Sequence, residues 1–193
     1  MTDVLRLTLV SHGMTDAMAA GRFPSNEALN ALGVRQCASL AEQTLRSPTQ
    51  RRVADLSVCS PEERTRQTAE LLDLDAQVDP RLCDVDCGRW RGQLAAAVPS
   101  DALAEFLSVP AANPHGGESI TALIARVRAW LEDVSQTPRR VMAVVHPAIV
   151  RAAILVALDA PPKSFWRIDI EPASRTTLHY RDRMWSLRSG DHR

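Results

Sequence analysis

Apolar and polar residues alternate at the start of the chain in a pattern that predicts a β-strand. In the segment LRLTLV, residues 5–10, every second position is leucine, which is the period-two pattern of a strand with one buried face. The run stops at His12, and Gly13 follows where the chain has to turn. Open α/β sheets bind ligands at the carboxyl ends of their strands, so His12 is a candidate for chemistry.

The same patterning predicts further elements along the chain. Strands are predicted at 53–59 and 141–145, and helices at 29–45, 61–72, 101–107, 120–134 and 148–158. The helix at 120–134 is the clearest, because its apolar residues form one stripe at the helical period and Ser119 stands at its N-cap position. Alternating strands and helices predict a three-layer α/β/α sandwich with a mainly parallel central sheet.

The segment Ser60-Pro61-Glu62-Glu63 follows the second predicted strand and reads as a helix start. Serine at the N-cap, proline at N1 and glutamate at N3 predict a capping box. The partial positive charge of a helix N-terminus favours an anion, and Arg64 comes next in the sequence. An anion site is therefore expected beside this helix.

Length and charge narrow the class of protein. The 193 residues suit one domain over 1–193, with a short Ala-, Pro- and Gly-rich excursion at 93–117 that we expect to form a cap over the core. Basic and acidic residues both number 23, for a formal net charge of +0. This balance argues against nucleic acid or a membrane surface as the main partner. The oligomeric state stays open, with a homodimer as one option.

The cysteines and the apolar runs indicate a cytoplasmic protein. The four cysteines form no C-x-x-C pair, and reduced, buried thiols are expected. Neither a signal peptide nor a membrane span is expected, because the N-terminal apolar run is short and interrupted by charge.

Two histidines follow predicted strands, His12 after LTLV and His146 after VMAVV. If the strands are parallel, both histidines and Arg64 meet at one edge of the sheet. A neutral imidazole can attack phosphorus, and a second, protonated imidazole can stabilise the phosphoryl group. No phosphate-binding glycine loop or metal-ligand spacing is present, so neither a metal nor a cofactor is expected. The alternative is that both histidines are structural residues that end strands.

Six segments, in order, resemble those of the histidine phosphatase superfamily, the phosphoglycerate mutase-like proteins. LVSHGMT resembles R-H-G-x-T, GRFPSNEALNALGVRQ resembles G-R-F…L-x-x-L-G-x-x-Q, and CSPEERTRQTAELL resembles S-P-L-x-R-A-x-Q-T-A. PRLCDVDCGRWRG resembles L-x-E-x-x-x-G-x-W-x-G, GGES matches as it stands, and VVHPAIVRAAI resembles V-x-H-G-x-x-I-R. The resemblance covers nearly the whole chain and implies a phosphoglycerate mutase-like fold.

The resemblance also implies roles for individual residues. His12 matches the nucleophile that becomes phosphohistidine, Arg64 an arginine that binds the transferring phosphoryl group, and His146 the second histidine at the same phosphoryl oxygens. Asp84 stands where the family has the glutamate that protonates the leaving group; the alternative is a loop carboxylate paired with an arginine. Arg22, in the GRF segment, is the expected substrate contact.

Departures from the family pattern fall within the predicted site. Ser11 replaces the arginine that precedes the nucleophile, and we expect its hydroxyl either to donate one hydrogen bond to phosphate or to act as a small filler. Pro147, after the second histidine, has no N–H for a phosphate oxygen. Asp84 is one methylene shorter than glutamate, and Met18 stands where many relatives have a phosphate-contacting asparagine.

We therefore expect a metal-independent phosphatase that acts on a small phosphorylated metabolite through phosphohistidine at His12, with inorganic phosphate as product. Hydrolysis is favoured over mutase activity because the excursion at 93–117 is short for the family. Ser11 keeps two alternatives open: a weak or inactive homologue that binds an anionic ligand, and an enzyme whose substrate has changed to suit the lost arginine. The sequence does not name the substrate.

Overall fold

The computed structural model describes residues 4–46, 54–136 and 139–189. Within these ranges it contains one six-stranded sheet. The strands are β1 (Leu5–Ser11), β2 (Leu56–Cys59), β3 (Gln77–Val78), β4 (Arg140–Val145), β5 (Arg175–Arg181) and β6 (Met184–Arg188). Their spatial order is β3-β2-β4-β1-β5-β6.

Six α-helices accompany the strands in the described ranges. They are α1 (Asp16–Ala19), α2 (Ala31–Arg46), α3 (Glu63–Leu71), α4 (Ser100–Ser108), α5 (Ile120–Val134) and α6 (Pro147–Ala157). Short 3-10 turns occupy Pro80–Leu82, Gly88–Trp90, Ala95–Ala97 and Pro162–Arg167. In the part of the chain described, no helix is long and apolar enough to cross a membrane.

The sheet is mainly parallel, as predicted. β4 pairs in parallel with both β1 and β2, and β2 pairs in parallel with β3, whereas β5 and β6 form an antiparallel extension beyond β1. In the central pair, Ser11 lies opposite Val145. The carboxyl ends of β1 and β4 are therefore level, and the residues that follow them emerge side by side.

Alternation along the central strands divides the interior into two cores. Leu5, Leu7 and Leu9 join the larger core, which includes the apolar stripes of α5 and α6. Val10 points to the opposite face, where a smaller core is built with residues of α2 and α3, including Leu40. Helices thus cover both faces of the sheet, and the predicted α/β/α sandwich is confirmed.

Most predicted elements are present with shifted ends. The helix predicted at 120–134 is α5 to the residue, and the Ser119 hydroxyl caps it by accepting the Ala122 N–H at 3.2 Å. Helices predicted at 29–45, 101–107 and 148–158 correspond to α2, α4 and α6. The strand predicted at 53–59 is shorter, at Leu56–Cys59, and position 53 lies outside the described residues.

The capping box predicted at Ser60 is wrong. Helix α3 begins at Glu63, with Glu62 at the N-cap position, and the Glu62 side chain makes no capping hydrogen bond. The Ser60 hydroxyl instead donates to the Leu82 carbonyl at 2.5 Å. The Glu63 N–H is satisfied from a distant loop, by the side-chain oxygen of Asn26 at 2.9 Å. Ser60 joins two loops, and its hydroxyl is not available to the helix.

Aromatic packing attaches the excursion at 93–117 to the rest of the molecule. Phe106 of α4 and His115 both contact Trp90, with ring centroids 5.8 and 5.1 Å away. The rings of Phe106 and His115 are 4.8 Å apart, and all three side chains are buried. This contact brings α4 to the carboxyl edge of the sheet, where Phe106 lines a cavity.

Candidate active site

Two histidines lie side by side at the carboxyl edge of the sheet because β1 and β4 are parallel neighbours. His12 follows β1, and its backbone N–H donates to the Val145 carbonyl at 3.1 Å. His146 follows β4 and is the N-cap residue of α6. Their ring centroids are 5.2 Å apart with an interplanar angle of 68°, and both side chains are buried. The structure therefore brings the two predicted histidines together.

Hydrogen bonds fix the tautomer of His12. Its Nδ1 lies 2.8 Å from the carbonyl oxygen of Gly13, which can only accept, so Nδ1 carries the proton. Nε2 then holds a lone pair, and it accepts a hydrogen bond from Nε of Arg64 at 3.2 Å. Burial, together with the charges of His146 and Arg64, lowers the pKa of His12 to about 3. The imidazole is neutral, and its unprotonated nitrogen faces Arg64.

The turn after His12 is held by a close approach of two backbone segments. A Cβ on Gly13 would lie 2.7 Å from the Gly33 carbonyl oxygen and 2.8 Å from Sγ of Cys37. A Cβ on Gly33 would lie 2.2 Å from the Met14 carbonyl oxygen. Side chains at these positions would force the first turns of α2 away from the strand end. The two glycines therefore fix the backbone that orients the His12 ring.

Arg64 is a buried cation at the centre of the site. Besides His12, its guanidinium donates to the Ser25 carbonyl through Nη1 at 2.6 Å and to Oδ2 of Asp84 through Nη2 at 2.7 Å. Oε1 of Glu27 lies 3.6 Å from Nη1. Arg64 thus joins His12, Asp84 and the loop at 25–27. Its position agrees with the predicted anion site beside α3.

Asp84 contacts both Arg64 and the second histidine. Its Oδ2 lies 3.4 Å from Nδ1 of His146, and its Oδ1 accepts the Val85 N–H at 2.8 Å. Burial alone raises the pKa of Asp84, but the charges of His146 and Arg64 bring it below its usual value. Asp84 is therefore a carboxylate at neutral pH.

Glu62 is a site residue that sequence reasoning missed. Its Oε2 lies 2.7 Å from Nε2 of His146, and its Oε1 accepts the backbone N–H of Asp84 at 3.0 Å. Burial raises the pKa of Glu62, but the hydrogen bond and charge of His146 hold it below the usual range. One sequence feature could have identified it: Glu62 is a charged residue at the position where the S-P-L-x-R segment has leucine.

A cavity of about 320 Å³ opens above His12, Arg64 and Asp84. Its walls are mostly apolar and come from several parts of the chain: Met18, Phe23, Val85, Phe106 and Trp166. His146 is wholly buried and does not itself line the cavity. The cavity therefore has a polar floor at the sheet edge and apolar walls above it.

Two further arginines line the cavity. Arg22 is exposed, lines the cavity, and its guanidinium donates to the Gly92 carbonyl at 3.3 Å. Arg151 donates through Nε to the Ile168 carbonyl at 2.8 Å and lies 5.7 Å over the ring of Trp166. The position of Arg22 agrees with its predicted substrate contact, which stays a prediction.

Ser11 lies away from this cavity. Its side chain is 0% exposed, and its hydroxyl donates to the Glu171 carbonyl at 2.6 Å. The same oxygen accepts the Ser174 N–H at 3.0 Å, and Ser11 does not line the cavity. This placement gives no support to the predicted hydrogen bond from Ser11 to phosphate. The hydroxyl instead ties the end of β1 to the segment before β5.

Cys87 lines the cavity, but burial raises the pKa of its thiol to about 12, so it is not a nucleophile at neutral pH. Within the described stretches, no group of three or more histidine, cysteine, aspartate or glutamate side chains is arranged to hold a metal ion.

Comparison with known proteins gives one consistent family. The model of the histidine phosphatase superfamily (branch 1) matches residues 7–191. The chain is 27% identical to phosphoserine phosphatase 1 of Hydrogenobacter thermophilus over 193 residues, which are 93% of this chain and 89% of the relative. It is 25% identical to the adenosylcobalamin/alpha-ribazole phosphatase of Salmonella typhimurium over 179 residues, 86% of each chain.

A solved structure gives the same result. The mycobacterial glucosyl-3-phosphoglycerate phosphatase, solved in complex with VO3, is similar with a TM-score of 0.82 at 28% identity. The similarity covers 95% of this chain and 97% of that chain. The family resemblance and the phosphoglycerate mutase-like fold expected from the sequence are thereby confirmed.

Proposed function

Because this chain belongs to the histidine phosphatase superfamily (branch 1) and its named relatives are phosphatases, we propose that it hydrolyses a small phosphomonoester through a phosphohistidine intermediate on Nε2 of His12. The observation that carries the proposal is the state of this nitrogen. It is the unprotonated nitrogen of a neutral imidazole on the cavity floor, and it faces a buried guanidinium.

In the first half-reaction the lone pair of Nε2 attacks phosphorus. The N–P bond forms while the P–O bond to the leaving group breaks, and the bonding electrons go to the leaving oxygen. Arg64 turns from His12 and Asp84 to the phosphoryl oxygens, where its fixed positive charge stabilises the negative charge of the transition state. His146, next to His12, supplies a further N–H to the same oxygens.

The leaving oxygen needs a proton, and Asp84 is its donor in this mechanism. Asp84 is ionised in the free site, partly because of the charge of Arg64. A bound phosphoryl group competes for Arg64, and burial then favours the neutral form of Asp84. A phosphomonoester has its second pKa near about 6, so its monoanion carries the required proton into the site. Substrate binding thus prepares the acid.

The second half-reaction reverses these roles. Asp84, again a carboxylate, accepts a proton from a water molecule whose oxygen attacks the phosphohistidine. The N–P bond breaks, its electrons return to Nε2 of His12, and inorganic phosphate is released. The neutral imidazole and a proton on Asp84 are restored, and the departing phosphate carries that proton away. No metal or redox cofactor takes part.

The apolar walls of the cavity extend the proposal to the leaving group. Phe106 and Trp166, whose ring centroids are 5.5 Å apart, stand above a floor that holds the phosphoryl group. An aromatic or otherwise apolar leaving group would bury surface against them. A small hydrophilic leaving group would leave these walls without a matching contact. We therefore propose a phosphomonoester with an apolar body, and Arg22 at the cavity contacts an anionic or polar end.

A second candidate function rests on the buried position of Ser11 and on the ion pairs of Arg64. Ser11 offers no phosphate contact, and Arg64 already has Asp84 at 2.7 Å and Glu27 at 3.6 Å. These carboxylates weaken the attraction of the site for a dianion. The second candidate is accordingly a homologue that binds an anionic ligand and turns it over slowly or not at all.

Turnover and trapping distinguish the two candidates. Wild type and His12→Asn are assayed on p-nitrophenyl phosphate, phosphoserine and ribose 5-phosphate, and the wild-type reaction is quenched in alkali, where phosphohistidine survives. Turnover together with a phosphoryl group trapped on His12, both absent in His12→Asn, supports the phosphatase. Equal rates for the two proteins would contradict it. Phosphate binding measured by calorimetry with no turnover on any ester would favour the binding homologue.

A further inference from the structure

One carboxylate connects the two groups that flank the phosphoryl site. Glu62 contacts Nε2 of His146 through one oxygen, at 2.7 Å, and the backbone N–H of Asp84 through the other, at 3.0 Å. Its side chain is 18% exposed, so water competes little for these bonds. Glu62 itself lines no part of the cavity. It is in position to act on substrate only through its two partners.

The Glu62 contact decides how the ring of His146 is used. A carboxylate can only accept, so Nε2 of His146 donates to Glu62. Nδ1 then faces Oδ2 of Asp84 at 3.4 Å and, among the described residues, makes no hydrogen bond. Nδ1 is therefore the nitrogen that, when it carries a proton, can donate to a phosphoryl oxygen once Asp84 and Arg64 rearrange. Without Glu62, the imidazole ring could flip by 180°, which would exchange the positions of Nδ1 and Nε2.

Glu62 also affects the loop that carries the proposed acid. Asp84 lies in a loop, and its backbone N–H donates to the Glu62 carboxylate rather than to a strand or helix partner. Asp84 is one methylene shorter than the glutamate of the resembled segment. Fixing its backbone compensates for shorter reach, because the side chain then starts from one defined point.

We propose that Glu62 is a positioning residue for phosphoryl transfer, which holds the ring of His146 with Nδ1 toward the substrate and anchors the backbone of Asp84. This inference rests on the proposed phosphatase function. The resembled family segment carries leucine at this position, so the chain has a charged group where the pattern has an apolar one.

Glu62 is one of several groups that face the ring of His146. Glu62 faces the ring from the start of α3 and Asp84 from the loop after the Pro80–Leu82 turn. His12 faces it from the end of β1, and Arg64 binds the same oxygen of Asp84 that faces the ring. When substrate draws Arg64 away and Asp84 becomes neutral, Glu62 remains as the charged group hydrogen-bonded to the ring.

The test compares Glu62→Leu and Glu62→Gln with Glu63→Gln. Glu63 is the neighbouring carboxylate at the start of the same helix, and its side chain accepts from Gln67 outside the cavity. It therefore controls for loss of negative charge near the helix N-terminus. We expect kcat on p-nitrophenyl phosphate to fall about 10- to 100-fold in both Glu62 variants, the size seen when an orienting partner of a functional histidine is removed. KM should change less, and Glu63→Gln should match wild type.

A structural measurement follows the ring without using activity. In protein labelled with ¹⁵N-histidine, the Nε2–H signal of His146, assigned by its loss in His146→Gln, should be visible and slow to exchange in wild type. Its exchange should accelerate at least roughly tenfold in Glu62→Leu, where the acceptor is gone. Circular dichroism of each variant verifies that it is folded.

The outcomes separate this inference from the proposed function. An unchanged His146 signal and wild-type kcat in both Glu62 variants would overturn the positioning role. A changed signal in a protein whose wild type shows no phosphatase activity would support the positioning role while the proposed function fails. If Glu62→Leu does not fold, Glu62→Met, which keeps a similar volume but offers Nε2–H no carboxylate or amide acceptor, decides the matter by the same two measurements.

Discussion

The floor and the walls of the cavity are built in different ways. On the floor, His12, Arg64 and Asp84 make directional hydrogen bonds to one another within 3.2 Å and come from elements at the sheet edge. On the walls, Phe106 and Trp166 meet through an edge-to-face ring contact and come from the excursion and from the Pro162–Arg167 turn. The floor has a defined geometry set by the β1–β4 register, whereas the walls have a shape set by packing.

This difference assigns chemistry and selectivity to separate parts of the chain. A hydrogen-bonded group displaced by 1 Å loses its partner, so changes on the floor should act on kcat. Apolar contacts tolerate small shifts, so changes on the walls should act on the choice of leaving group, usually by modest factors. The predictions below test this division, in decreasing order of expected effect.

Removing the proposed nucleophile, His12, should have the largest effect. His12→Asn keeps a polar side chain but loses the Nε2 lone pair, and kcat/KM should fall by at least about 1,000-fold on every phosphomonoester, because covalent catalysis is lost. Initial rates at high enzyme concentration measure this, and circular dichroism checks the fold. A variant that keeps even a tenth of wild-type kcat/KM would show that the floor does not work through His12.

The pH dependence tests how the floor obtains its proton. His12 has a pKa of about 3, so the nucleophile stays neutral through mildly acid pH. The lowered pKa of Asp84 leaves the free carboxylate without a proton at neutral pH. Activity should therefore follow the substrate monoanion and fall roughly 50-fold in kcat/KM from pH 6 to pH 8, approaching about tenfold per unit well above the second pKa of the ester, which is about 6.

Two aryl phosphates whose second ionisations differ make this test specific. The descending limb of kcat/KM should move with the ionisation of the ester. If kcat/KM falls over the same pH range for both esters, a protein group delivers the proton. The proposal that Asp84 takes its proton from the bound substrate would then be wrong. The walls play no part in this limb, so Trp166→Ala should leave its position unchanged.

The two histidines of the site could be predicted from the sequence, but the hydrogen bonds that join the site to distant residues could not. His12 and His146 were found because apolar strands end at both, and parallel strands bring their ends to one edge. Glu62 was missed because its partner lies 84 residues away, and local pattern assigned the segment to a capping box. Ser60 was misassigned for the same reason, since its acceptor, Leu82, lies on another loop.

The edges of the sheet show the same limit. The two-residue β3 is too short to carry a period, and its residues are exposed. In β6, four of the five residues are exposed, so alternation of buried and exposed residues is weak. Both depend on hydrogen bonds to a neighbouring strand. In contrast, α5 buries one complete apolar stripe, and the sequence pattern is enough to locate it.

Truncating a wall residue should change selectivity more than rate. Trp166 is 39% exposed and contacts Phe106 and Phe165. Trp166→Ala should lower kcat/KM for p-nitrophenyl phosphate about tenfold, the size of one lost aromatic contact, and change that for phosphoserine less. Leu158→Ala, an exposed apolar residue outside the cavity, is the control. Equal losses on both esters would assign Trp166 to the chemistry of the floor.

Substitution of Ser11 should have the smallest effect on activity. It tests whether the end of β1 belongs to the floor of the cavity. Ser11→Ala removes the hydroxyl that donates to the Glu171 carbonyl and accepts from the Ser174 N–H. The free energy of unfolding should fall by about 1–3 kcal/mol, the cost of leaving buried groups unpaired. kcat/KM should stay within roughly threefold of wild type, because Ser11 does not line the cavity. Urea unfolding and initial rates measure the two, with the exposed Ser108→Ala as control.

Replacing Ser11 with the arginine of the family pattern also tests whether position 11 contributes to the site. An arginine at position 11 has no room in a site that is 0% exposed, and overpacking costs about 1–3 kcal/mol. Ser11→Arg should therefore displace the segment at 171–174 and lower stability without raising kcat/KM. A gain of tenfold or more would mean that the arginine reaches the phosphoryl group. The end of β1 would then belong to the floor, and the serine would be the cause of a weakened enzyme.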